Sequence, residues 1–100
     1  MGRQKRENEF QHHVKQRLRD EFPGCIVTKL DANDIQGIPD LLVLYNEHWA
    51  ALECKQHAKA KHRPNQDRYV DKMNQMSYAS FIFPENEEVV FDGLKRSFGA

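Results

Sequence analysis

The chain has 100 residues, 39% of apolar types and 30% charged, which is room for one domain with a small core that hides about two-thirds of its unfolded-state surface. That balance excludes a disordered tail, and the longest uninterrupted apolar run, Leu41 to Tyr45, falls far short of the roughly 20 residues of a membrane-spanning helix. Fifteen basic residues offset fifteen acidic ones, so no global charge draws the protein to nucleic acid.

Residues 5–21 read as a helix. At about 100° per residue, Phe10, Gln11, Val14 and Leu18 fall within about 60° of Glu7, and Glu9 falls on the far side. Glu7 therefore opens the buried stripe while Glu9 faces water. Pro23-Gly24 ends this helix. Residues 25–30 are β-rich and predict a strand, and residues 31–39 a loop with Asn33-Asp34 and Gly37 as turn formers.

Residues 40–45 and 48–55 flank Asn46-Glu47, the form of a β-hairpin with a two-residue turn. Cross-strand partners then have numbers summing to 93 (46 + 47), which sets Asp40 opposite Glu53, with Lys55 on the same face. Leu42 and Leu44 share the Asp40 face, and Leu41 and Val43 take the other. Strands apolar on both sides predict coverage on both faces. Residues 65–76 predict a second helix started by Pro64 or Asn65, with Gln66, Tyr69, Val70 and Met73 on one stripe. Residues 78–83 predict another strand. Val90, Phe91, Leu94 and Phe98 then suit a helix, which Gly93 weakens by about 1 kcal/mol. A short strand over 89–91 is the alternative there.

Residues 55–63 carry Lys55, Lys59, Lys61 and Arg63 with two histidines and no acid, whereas residues 85–92 carry four acids and no base. Either run can be plain solvated surface. Cys25 and Cys54 lack a CxxC partner and read as buried thiols of a reducing compartment. The N-terminal residues lack the apolar stretch of a secretory signal. The histidines do not form a zinc set: His12 and His13 are adjacent, and His57 and His62 lie in a loop.

Asp40, Glu53 and Lys55 carry the chemistry. Two carboxylates at a β-pair, with Cβ atoms about 5 Å apart, repel when both are ionised. A bound cation, a shared proton or exposure to water would relieve them. Magnesium accepts one or two carboxylates plus waters and phosphate oxygens, and a lysine beside them adds positive charge where a phosphate would sit. The bland reading is a surface salt bridge, for which the apolar neighbours Leu42, Ala51 and Leu52 make a poor setting.

Gly37-Ile38-Pro39-Asp40 followed by Glu53-Cys54-Lys55 resembles the PD-(D/E)XK nuclease signature. Glu7-x-x-Phe10-Gln11-x-x-Val14 and Arg63-Pro64-Asn65-Gln66 are similar to the first-helix and glutamine segments of its VRR-NUC branch. The resemblance spans roughly residues 7–83. It implies a single nuclease domain over residues 1–100, of α/β class: a restriction-endonuclease-like core with a mixed central sheet flanked by helices in α-β-β-β-α-β order. It also implies a Mg2+- or Mn2+-dependent DNA endonuclease acting on branched DNA such as four-way junctions. Asp40, Glu53 and the backbone carbonyl of Cys54 would hold the metal, Lys55 would orient water or steady the phosphate, Glu7 would reach the metal through water, and Gln66 would hold Lys55 or a phosphate. Lys59, Lys61 and Arg63 would grip the DNA backbone. A homodimer in the cytoplasm of a bacterial or phage-infected cell, without membrane contact, completes the expectation. A catalytically silent nucleic-acid-binding module of the same fold, and a structural protein with an incidental acidic pair, are the alternatives.

Overall fold

The structure is a computed structural model that describes residues 2–99. Helix α1 spans Gly2–Glu21, strand β1 Ile26–Lys29, β2 Leu41–Tyr45, β3 His48–Cys54, helix α2 Gln66–Met76 and β4 Tyr78–Ile82. A 3-10 turn over Pro84–Asn86 leads into α3, Glu87–Phe98, so the alternative strand at 89–91 does not form. The four strands lie in sequence order, β1-β2-β3-β4, with the first two pairings antiparallel and β3-β4 parallel. This is an α/β domain with a mixed sheet and three helices. Among the described residues, no helix is long and apolar enough to cross a membrane.

The hairpin keeps the register its turn predicts. Leu41 pairs with Leu52 and Tyr45 with His48, and Asn46 takes the left-handed conformation, φ 54, at the turn's first central residue. Alternation along the strands then sorts side chains between two layers. On one side Leu41, Val43, Ala50, Leu52 and Cys54 pack beneath Val14 and Leu18 of α1, Phe22 just after it, and Val90, Phe91, Leu94 and Phe98 of α3. On the other, Ala51 and Ala79 pack beneath Val70 of α2, with Trp49, Met73 and Phe81 at the margin.

Coverage on the α2 side is incomplete, which corrects one expectation. That helix lies over β3 and β4, so Leu42 is half-buried and Leu44 is exposed. The β2 strand is thus fully covered on one face only. Cys54 is buried as expected, but Cys25 is half-buried, because it precedes an edge strand whose Ile26, Thr28 and Lys29 are exposed.

The acidic segment near the C-terminus is half structural. Arg17 of α1 bonds Glu87 at 2.7 Å and Glu88 at 2.7 and 2.9 Å, and also pairs with Glu21. His13 meets Glu87 at 2.8 Å. The guanidinium sits 4.1 Å over the Phe91 ring, and its charge ties α1 to α3. Gly93 has a packing reason as well: a Cβ there would lie 2.5 Å from the Tyr78 hydroxyl and 2.7 Å from its ring.

Candidate active site

Asp40 sits one residue before β2, where Leu30 N–H donates to its backbone carbonyl at 2.8 Å. Its side chain reaches across the hairpin end and accepts from the Cys54 N–H at Oδ2, 3.0 Å. Glu53 and Lys55 follow on the same face, flanking Cys54, whose thiol points into the other layer. Glu53, Lys55 and Gln66 are the buried polar side chains of the described residues, at 2%, 4% and 7% exposure.

Gln66, the first residue of α2, joins the other two. Its Nε2 donates to Glu53 Oε2 at 3.0 Å, and its Oε1 accepts from Lys55 Nζ at 2.8 Å. The same oxygen accepts the Arg63 N–H at 2.8 Å, while Lys55 also donates to the Lys61 carbonyl at 3.2 Å. Lys55 Nζ lies 3.7 Å from Glu53 Oε2. The left-handed Asn65, φ 72, turns the chain into α2. Gly37 packs so close to it that a Cβ would fall 2.6 Å from the Asn65 Cβ. Gly37 also has φ +92, which is costly for other residues. The loop before Asp40 and the start of α2 are therefore locked together.

Glu53 Oε1 is buried and receives no hydrogen bond. The Asp40 carboxylate lies within hydrogen-bonding reach of this glutamate. Burial, then the Asp40 charge, pushes Glu53 up to about 8, against the pull of Lys55. Burial also raises Asp40, opposed by the Cys54 N–H, Glu53, Lys55 and Lys29. Both shifts favour the protonated form, so without a cation a proton held by the pair would relieve its repulsion.

This donor set fits a divalent cation. An orphaned buried oxygen beside a second carboxylate is what a hard metal ion would satisfy. Among the described residues, no three His, Cys, Asp or Glu side chains gather into a ready cage. The fit is therefore to an ion that keeps several waters, as magnesium does.

The pair opens into a cleft of about 690 Å³. Glu7 lines it and is half-buried, near enough to Glu53 to act on its charge, whereas Glu9 is exposed on the other side of α1. Lys61 and Arg63 line it too, but Lys59 does not; its backbone turns on a bond to His57 Nδ1 at 3.1 Å. His62, which sequence reasoning set aside, stacks on Phe81 at 4.0 Å and meets Asp67 at 2.8 Å. It fastens the basic loop to β4 and α2. Trp49 and Tyr69 are each half-buried. In comparisons with family models, curated proteins and solved structures, nothing matches the chain.

Proposed function

We propose that the protein is a Mg2+- or Mn2+-dependent DNA endonuclease with a restriction-endonuclease-like core of the PD-(D/E)XK, VRR-NUC type. The observation that carries the reading is the buried Glu53 Oε1 without a donor, set beside Asp40, while Oε2 of the same carboxylate is linked to Lys55 through Gln66. A bound divalent ion would lower the pKa of its water and offset the charge that builds on the phosphate. Asp40 and Glu53 supply the anionic oxygens for it, the Cys54 carbonyl a neutral one, and Glu7 an outer carboxylate acting through water. Gln66 and the Lys61 carbonyl fix the Lys55 ammonium, so that it can donate to the attacking water or to a phosphate oxygen. Lys61 and Arg63, on the rim, hold the nucleic-acid backbone. A pair of such chains would let so small a domain span a branched substrate.

The test is cleavage of labelled single-stranded, duplex, flap and four-way DNA, with manganese and with chelator. Cleavage should require the ion and favour the branched forms. Asp40→Asn and Glu53→Gln should each abolish it while leaving a folded protein, since each removes an anionic ligand and relieves repulsion. Binding without cleavage under all these conditions would favour a silent binding module, and retained cleavage in either variant would remove the metal assignment.

A further inference from the structure

The surface of α1 divides three ways. Val14 and Leu18 enter the core. A second flank carries His13 and Arg17, whose charge is met by Glu21, Glu87 and Glu88. On the third flank, at about 100° per residue, Lys15, Arg19, His12 and Lys5 all fall within about 60° of Asn8. Lys15 is half-buried and the other four are exposed. Glu9 and Asp20 lie about 100° or more from Asn8, so no acid interrupts the stripe. Among the described residues, Lys5, Lys15 and Arg19 enter no ion pair. A chain of zero formal net charge has thus spent acids on the flank facing α3 and left this one positive.

The stripe runs past the candidate site. Asn8 lines the same cleft as Asp40 and Glu53. Arg19 lies about 16 Å further along the helix, comparable with five base-pair rises of about 3.4 Å. The basic rim of Lys61 and Arg63 belongs to the α2 side of the sheet, whereas α1 covers the opposite side. Two positive banks therefore approach the carboxylates from opposite layers of the fold.

We propose that this flank of α1, through Lys5, Lys15 and Arg19, holds the phosphate backbone of the nucleic-acid arm that leaves the cleft away from Lys61 and Arg63. The inference rests on the nuclease reading above. His12 and Asn8 add hydrogen-bonding groups along the same line. Contacts of this kind supply affinity and salt dependence and little sequence information.

The experiment measures binding of a labelled long duplex across a salt series, alongside manganese-dependent cleavage. The variant Lys5→Gln/Lys15→Gln/Arg19→Gln keeps good helix formers on α1. It should flatten the slope of log affinity against log salt by about two to three units, at about 0.9 per lost phosphate contact. Arg19→Gln alone, at an exposed position, should remove about one unit, and so reads the effect even where the triple change perturbs folding. If the parent binds DNA and both variants keep its slope, the α1 track is overturned and the carboxylate site stands. If the parent neither binds nor cleaves any nucleic acid, the nuclease reading falls, and this inference with it.

Discussion

The side-chain oxygen of Gln66 accepts the Lys55 ammonium at 2.8 Å, inside a pocket where both residues are almost wholly buried. The amide's other end holds Glu53, so one residue orients both a cation and a carboxylate. Gln66→Leu keeps the volume and strands all three partners of the amide, Lys55, Glu53 and the Arg63 N–H. A buried group left without its bond costs about 1–3 kcal/mol, and urea melts should show a loss of about 2 kcal/mol. Single-turnover cleavage should slow by about tenfold or more, about 1.4 kcal/mol of barrier, because Lys55 keeps only the Lys61 carbonyl. A variant with parental stability and rate would mean that Gln66 is merely a polar residue in the first turn of α2.

The metal-free protein should lose stability as pH rises. Glu53 titrates at about 8 when folded and at about 4.3 when unfolded. Between those values the folded state holds a proton that the unfolded chain has released. The contribution is therefore fully present below the unfolded value and disappears as pH climbs through the folded one. Glu53→Gln should flatten this slope in chelator. Added manganese should act in the opposite sense near pH 8, stabilising by about 2.7 kcal/mol at a hundredfold excess over Kd. Asp40→Asn should lose that gain. A chelated parent protein that becomes more stable across this range would contradict the buried, protonated pair.

The basic loop should divide by position. Lys61→Ala and Arg63→Ala should each lower the salt slope of binding by about one unit, since both residues line the cleft. Lys59→Ala should leave it nearly unchanged, because Lys59 lies outside the lining. Equal effects at all three positions would show that the loop acts as a diffuse charge and that the cleft does not select among them.

What could be read from the sequence was whatever local periodicity controls. The sum of 93 set the hairpin register because a two-residue turn leaves no freedom, and alternation then put Asp40, Glu53 and Lys55 on one face. The wheel separated Glu7 from Glu9 for the same kind of reason. Features that depend on distant packing were not legible. Whether α2 would cover β2 depends on where the crossover lands, so the exposure of Leu44 could not be read from its neighbours. The acids at Glu87 and Glu88 looked like solvated charge because their partner, Arg17, lies at the other end of the chain. Gly93 registered only as a helix weakener, since the ring of Tyr78 comes to it through tertiary contact. His62 gave no signal for the same reason: its stack on Phe81 exists only once β4 has docked.

The division of labour along Glu53-Cys54-Lys55 makes the hairpin turn a determinant of chemistry. Both charged side chains face the cleft while the thiol between them lies in the core. A one-residue slip between strands would exchange these roles throughout β3. Two charges would enter the packed layer beneath α1 and α3, and a thiol would stand where the Glu53 carboxylate now faces the cleft. Length at Asn46-Glu47, a surface position far from the carboxylates, is therefore under tighter constraint than residue identity there. In a lineage of such proteins, drift at this tip should proceed by substitution, and single-residue insertions should survive only where a β-bulge absorbs the extra residue before Glu53.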